Sequence, residues 1–209
     1  MNYPNFTEEK KFWKQGLDIV AGLDEVGRGP LAGPVVAAAV YVKKGAEIFL
    51  QKNFGINDSK KLTEKNRELY YEKLTNDENV KWGIGIISET IIDKINILEA
   101  TKLAMKQALE KLQPEALLID GNFLLENMVI SQKSVIGGDQ KVFSIAAASI
   151  IAKVTRDRMM HAMHELYPQY GFDKHKGYGT ALHIKNLKQF GPCEIHRKSF
   201  YPVSLNENL

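Results

Sequence analysis

The chain has 209 residues, 44% hydrophobic and 25% charged, a balance that fits one globular domain with at most a small appendage and excludes a disordered or low-complexity chain. A single cysteine, Cys193, excludes an intramolecular disulfide framework and suits a reducing, cytoplasmic compartment, while a net charge of +3 permits a nucleic-acid partner without requiring one. No run reaches the ~18–20 apolar residues that span a bilayer, and Met1–Lys14 has no apolar leader core, so neither a membrane nor a secretory route is expected.

Residues 6–15 pattern as a short amphipathic lead-in helix. Residues 17–24 and 34–43 are apolar and Val-rich, and read as two strands joined by a tight, glycine-demanding turn through Gly27-Arg28-Gly29-Pro30-Leu31-Ala32-Gly33-Pro34. Thr63 caps a helix running through Leu74. Residues 79–88 form a third strand broken by Gly83 and Gly85. Asn96 caps a helix to Leu112, with Leu98, Thr101, Met105, Ala108 and Leu112 on one face. Glu115–Asp120 is a short buried strand, and 128–136 another. Ser144 caps a long helix to about Leu166, whose small residues Ala146, Ala147, Ala148 and Ala152 let it sit close to the sheet. From Pro168 the chain is richer in Gly, His, Lys and aromatic residues, and reads as a helical appendage. Alternating strands and helices make this an α/β chain.

Acidic residues recur where strands end: Asp24 and Glu25, Asp120, and Asp139 after Gly137-Gly138. A carboxylate at the edge of a core is costly unless paired or metal-bound. Such a cluster suits hard divalent ions and displacement at phosphorus. Singly, each aspartate is also explained as a turn or helix cap. Asp24 and Glu25 point to opposite faces if their strand continues, so a shared site asks the backbone to turn there. Gly27 and Gly29 would let a ligand approach the backbone, and Arg28 would pair with a phosphate. Ser59, Lys60 and Lys61 are phosphate-binding candidates or a solvated helix start. Lys153 and Asp157, four apart on one helix, are an ordinary surface pair, or Asp157 orients the site from behind. Tyr178 in its Gly-rich loop is a packing residue or a stacking platform. Cys193 and His196 have zinc-ligand spacing, but no second pair completes a site.

Here the strings themselves become specific. Asp24-Glu25-Val26-Gly27-Arg28-Gly29 through Pro34 resembles the N-terminal signature of ribonuclease HII, the type 2 ribonuclease H family. Asn57-Asp58-Ser59-Lys60-Lys61-Leu62, Asp93–Leu98, Ile119-Asp120-Gly121-Asn122, Gly138-Asp139, Ser144–Asp157, Tyr167–Phe172 and His175–Thr180 resemble the family's later motifs in order, over nearly all of residues 17–202. The resemblance implies a ribonuclease H-like fold: a central mixed five-stranded sheet flanked by helices, with a C-terminal helical extension. It implies a catalytic domain over 1–167 and an extension over 168–209 that contributes to substrate binding. Asp24, Glu25, Asp120 and Asp139 would hold Mg²⁺ or Mn²⁺. Gly27, Arg28 and Gly29 would sense the 2′-hydroxyl, Tyr178 would stack on the following deoxyribose, and Ser59, Lys60, Lys61 and Lys176 would hold the backbone. The implied activity is hydrolysis of the RNA strand of RNA–DNA hybrids and cutting 5′ to a single ribonucleotide in duplex DNA, by a monomer, leaving 3′-hydroxyl and 5′-phosphate ends. A hybrid ribonuclease without junction cutting and a non-catalytic hybrid-binding protein are the alternatives; four clustered carboxylates argue against the second, because without metal they would repel a phosphate backbone.

Overall fold

The computed structural model describes residues 3–54 and 62–208. Its centre is a five-stranded sheet in the order β3-β2-β1-β4-β5, built from β1 (Val20–Val26), β2 (Val35–Val42), β3 (Val80–Ile87), β4 (Ala116–Asp120) and β5 (Ser131–Val135). The β1–β2 and β2–β3 pairs are antiparallel, and the β1–β4 and β4–β5 pairs are parallel. This is the mixed sheet of a ribonuclease H-like fold. The β1–β4 ladder ends at Leu23↔Ile119, whereas β1 stays paired to β2 as far as Val26↔Val36. The last residues of β1 therefore run past the end of β4, and a crevice opens at the carboxyl ends of two adjacent parallel strands, where open α/β sheets bind ligands.

Side chains alternate across each strand, so the sheet has two apolar faces. On one face, Val20, Val36, Val40 and Leu118 pack against α1 (Thr7–Trp13), α3 (Glu64–Asn76) and α6 (Phe143–Leu166). On the other, Leu23, Val35, Ile87 and Leu117 pack against α4 (Glu89–Ile95) and α5 (Ile97–Leu109). Ala146, Ala147, Ala148 and Ala152 are fully buried, and the α6 backbone comes so close to β1 that a Cβ on Gly22 would collide with Ser144 and Ile145. The small-residue reading of this helix holds. No helix among the described residues is long and apolar enough to cross a membrane.

Several local expectations need correction. The strand at 79–88 is not broken: β3 pairs with β2 over all eight residues, and Gly83 and Gly85 are where the Ala104 and Ala108 carbonyls of α5 touch it. Asn96 does cap α5, accepting from Leu98 N and Glu99 N at 2.9 and 3.2 Å. Of the expected face, Thr101, Met105, Ala108 and Leu112 are buried and only Leu98 is exposed; Ala100, Ala104 and Leu109 complete the buried face, since close packing on β3 favours small residues. Ser144 is not the cap of the long helix. Val142 is, and Ser144 sits buried in the first turn with its hydroxyl donating to Glu9 Oε1 at 2.8 Å. The link between β1 and β2 is an eight-residue loop, 27–34, rather than a tight turn. Thr63 caps α3 as expected, accepting from Asn66 N. Two helices, α2 (Glu47–Phe54) and α4, had no strong periodic signal in the sequence.

After α6 come α7 (Phe172–His175), α8 (Ala181–Phe190) and short 3-10 turns at 168–170 and 203–208. Their apolar residues do not pack on one another alone. Tyr170, Phe172 and Ile195 share a core with Ala32 and Met160, and Leu187 and Val203 share one with Leu31. The 27–34 loop is thus held between the sheet and the C-terminal segment.

Candidate active site

Asp24 and Asp120 occupy strand positions on the α6 side of the sheet, two residues beyond the apolar Gly22 and Leu118. Asp24 is buried, accepts from Glu25 N at 2.8 Å, and is hydrogen-bonded by the Ser149 hydroxyl. Burial, reinforced by the neighbouring charges of Glu25 and Asp120, holds its carboxyl well above the ordinary range. Glu25 is also raised by burial and by Asp120, against the opposing pull of Arg28, whose Nη1 donates to Glu25 Oε1 at 3.2 Å. Its other oxygen, Oε2, is buried with no hydrogen-bond partner. The three carboxylates therefore act on one another electrostatically although β1 does not turn between Asp24 and Glu25. They meet because β1 outruns β4 and opens the sheet there. Asp120 Oδ1 accepts from Gly138 N at 2.7 Å. That bond anchors the 3-10 turn at 138–140, in which Asp139 is buried.

Asp24, Glu25, Val26, Arg67, Ser149, Lys153 and Tyr178 line one cavity of about 230 Å³. Arg67 and Lys153 were not singled out as site residues from the sequence. Lys153 lies four residues after Ser149 on one face of α6, a spacing that would have flagged it once Ser149 was placed. Its Nζ donates to Asp157 Oδ1 at 2.8 Å. Asp157 is itself buried, so it steadies a cation at the cavity wall.

The 27–34 loop forms the rim. Gly27 has φ +93°, and a Cβ there would lie 2.7 Å from Arg156 Cδ and from the Pro34 carbonyl. Gly27 is glycine because the loop packs on itself, not only to admit a ligand. Gly29 differs: its φ is not left-handed, and a Cβ would meet only Tyr178 Cε1, at 3.9 Å. Gly29 thus lies beside the half-exposed Tyr178 ring, which itself lines the cavity. Arg28 is exposed apart from its bond to Glu25. Lys176 has φ +51° and turns its ammonium to His161 Nε2 and the Asp173 carbonyl, while its own carbonyl accepts from Arg156. Ser59, Lys60 and Lys61 lie outside the described residues.

Cys193, His196, His183 and Tyr178 form a hydrogen-bonded relay. Cys193 N donates to His196 Nδ1, the two imidazoles meet at 3.1 Å, and His183 Nδ1 bonds the Tyr178 carbonyl. Burial pulls both imidazoles down to about 4, so they are neutral at physiological pH. They support the Tyr178 loop from behind.

Among the described residues, no three acidic, histidine or cysteine side chains converge tightly enough to enclose an ion on their own. Mg²⁺ does not ask for that; it keeps waters and is bound through one or two carboxylates plus substrate phosphate. A buried, unpartnered Glu25 oxygen beside two mutually repelling aspartates is a donor set that such a cation fits.

The sheet order and the carboxylates at the ends of its central parallel strands define a hydrolase of the ribonuclease H-like fold. A family model described as Ribonuclease HII matches residues 21–203. The ribonuclease HII proteins of Chlamydia abortus and Chlamydia trachomatis serovar A are 54% and 55% identical over 197 residues, covering 93% of this chain and 90% and 88% of theirs. Among solved structures, the ribonuclease HII of Archaeoglobus fulgidus, determined in complex with PCNA, superposes with a TM-score of 0.75 at 27% identity, over 87% of this chain and 95% of that one. The ribonuclease H2 of Pyrococcus horikoshii gives 0.74 at 28% identity, over 90% and 97%. The chain belongs to the ribonuclease HII family, the type 2 ribonucleases H, hydrolases that cleave the RNA of RNA–DNA hybrids.

Proposed function

We propose that this enzyme is a metal-dependent endonuclease that cuts hybrid RNA and also incises duplex DNA immediately 5′ to a single embedded ribonucleotide, leaving 3′-hydroxyl and 5′-phosphate ends, as a monomer in cytoplasmic ribonucleotide removal. The observation that carries this reading is the cavity mouth. There the Tyr178 ring lines the cavity with Asp24 and Glu25, and Gly29 lies beside the ring.

A 2′-hydroxyl is both donor and acceptor, and is best read by close backbone groups rather than by a bulky side chain. Gly27, Arg28 and Gly29 provide such a backbone, held in shape by the surrounding loop. The Tyr178 ring provides a flat platform on which a deoxyribose packs and an added hydroxyl would crowd. Together they select one ribose followed by one deoxyribose. Asp24, Glu25, Asp120 and Asp139 would hold Mg²⁺ or Mn²⁺. When bound, the metal supplies activation of water and charge stabilisation at the leaving oxygen. Asp24 is oriented for this by Ser149 and Glu25 N, and Asp120 by Gly138 N. Lys153, steadied by Asp157, and Arg67 bring positive charge to the scissile phosphate. Ser59, Lys60, Lys61 and Lys176, with the C-terminal extension 168–209, would contact the duplex backbone, making binding weaken with salt.

The test is cleavage of an end-labelled DNA duplex with one ribonucleotide, alongside a continuous hybrid, in Mg²⁺ and in Mn²⁺, mapped to single nucleotides. A cut 5′ to the ribonucleotide, lost in Asp120→Asn without loss of duplex binding, is the expected result. Cleavage of the hybrid alone would remove the junction specificity. Unimpaired turnover by Asp120→Asn would remove the metal assignment.

A further inference from the structure

Arg156 and Arg197 are both fully buried, the largest side chains so enclosed. Every hydrogen bond they make goes to a main-chain carbonyl. Arg156 donates through Nε to Pro34, through Nη2 to Ala32 and through Nη1 to Lys176, at 2.9, 3.1 and 2.9 Å. Arg197 donates through Nε to Gly33 at 3.0 Å, through Nη1 to Arg28 at 2.9 Å, and through Nη2 to Gly27 and Gly33 at 2.5 and 2.8 Å. Burial lowers the pKa of both guanidiniums, and the charge of Arg156 lowers that of Arg197 further. Enclosing two cations without a carboxylate partner is a costly way to fill volume, and apolar side chains of similar size commonly serve stability as well or better. What two guanidinium forks provide, and apolar groups do not, is fixed placement of carbonyls.

The carbonyls concerned belong to two loops. Arg197 takes those at both ends of the 27–34 loop. Arg156 takes two more from that loop and one from Lys176, two residues before Tyr178, and its Cζ lies 5.9 Å from the Tyr178 ring centroid. Leu31 N reinforces the junction by donating to the Gly177 carbonyl at 2.8 Å. A Cβ on Gly177 would collide with the Ala32 carbonyl, so the loops touch backbone to backbone. The C-terminal segment that carries Arg197 is pinned in turn. Asp93 on α4 accepts from Lys198 N and Ser199 N, next to Arg197, at 2.9 and 3.0 Å.

Resting on the proposed roles of the Gly-Arg-Gly backbone and Tyr178, we infer that Arg156 and Arg197 are positioning residues that set the enzyme's preference for a lone ribonucleotide over continuous RNA. Arg197 fixes the shape of the sensing loop. Arg156 fixes its separation from the tyrosine that reads the next sugar. Neither touches substrate.

The experiment compares Arg156→Lys and Arg197→Lys with the wild type on the single-ribonucleotide duplex and on a continuous hybrid, measuring kcat and KM for each. Lysine retains the charge but loses the planar fork, so a single nitrogen cannot span the three carbonyls that Nε, Nη1 and Nη2 reach. The expected result is a fall of roughly tenfold or more in kcat on the single-ribonucleotide duplex, with KM little changed, and a much smaller loss on the hybrid, in keeping with the cost of a misplaced contact. Arg158→Lys, two residues further along α6 on its exposed face and paired with Glu68 and Glu72, should leave the ratio of the two activities unchanged. Equal losses on both substrates would overturn the inference and assign the arginines to stability. So would failure of both lysine variants to fold at the assay temperature, read from their melts. A wild-type enzyme that ignores the single ribonucleotide would instead remove the underlying reading of the loop, and is seen before any variant is made.

Discussion

Glu9 offers a quantitative test that does not depend on substrate. It lies on α1 with its side chain enclosed against the start of α6. Oε1 accepts from Ser144 N at 3.0 Å and from the Ser144 hydroxyl at 2.8 Å, and Oε2 is buried without a partner. Burial outweighs the two Ser144 bonds and raises the carboxyl from 4.5 to about 7. At ~1.36 kcal/mol per pH unit, that difference is about 3 kcal/mol. The unfolded chain gives up the proton first as pH rises. Glu9 therefore contributes fully below about pH 4.5, loses its contribution between 4.5 and 7, and carries a constant penalty above 7. Glu9→Gln stays neutral throughout. Its carbonyl can take over the Ser144 bonds, and its buried NH₂ costs about 1–3 kcal/mol at every pH. The difference in stability between variant and wild type should thus move in the variant's favour by about 3 kcal/mol from pH 4 to pH 8. For a chain of this size that is roughly 6–12 °C in relative Tm. Thermal melts in EDTA across that range measure it. A difference in Tm that stays constant with pH would refute the reasoning, because it would mean Glu9 is ionised to the same extent folded and unfolded.

Two further predictions concern the site. Asp24→Asn should abolish cleavage yet raise Tm in EDTA at neutral pH, since it removes one of three carboxylates whose burial and mutual repulsion raise Asp24; added Mg²⁺ should then stabilise the wild type more than the variant. A lower Tm in EDTA would show that these charges do not oppose folding. Gly27→Ala, at φ +93° with Arg156 in the way, should cost about 2–4 kcal/mol in a denaturant titration, whereas Gly29→Ala should leave stability nearly unchanged and act on cleavage of the single-ribonucleotide duplex. Equal destabilisation by the two would contradict the different roles assigned to these glycines.

Much of this protein was legible locally. Strand positions, the Thr63 and Asn96 caps, and the Ala-rich packing face of α6 follow from side-chain periodicity and capping chemistry, which act within a few residues. Asp24, Glu25 and Asp120 stood out because a carboxylate ending an apolar run is costly anywhere in a chain. The order of motifs also carried the family. Other features had no local signal. Gly83 and Gly85 looked like strand breakers because the approach of α5 is invisible from β3. Ser144 looked like a cap because its partner, Glu9, lies 135 residues away. Nothing along the chain marks Arg156 on its helix, or Arg197 between His196 and Lys198, as buried, because arginine is seldom fully enclosed. Their partners in the 27–34 loop lie 122–124 and 164–170 residues away. The strands, most of the helices and the carboxylates that end the strands can be read along the chain, because they depend on short-range periodicity and solvation. That β1 outruns β4 to bring the acids together, and that two buried guanidiniums tie the 27–34 loop to the Tyr178 segment, emerges only on folding, because a hydrogen bond between distant segments exists only once the whole chain has closed around it.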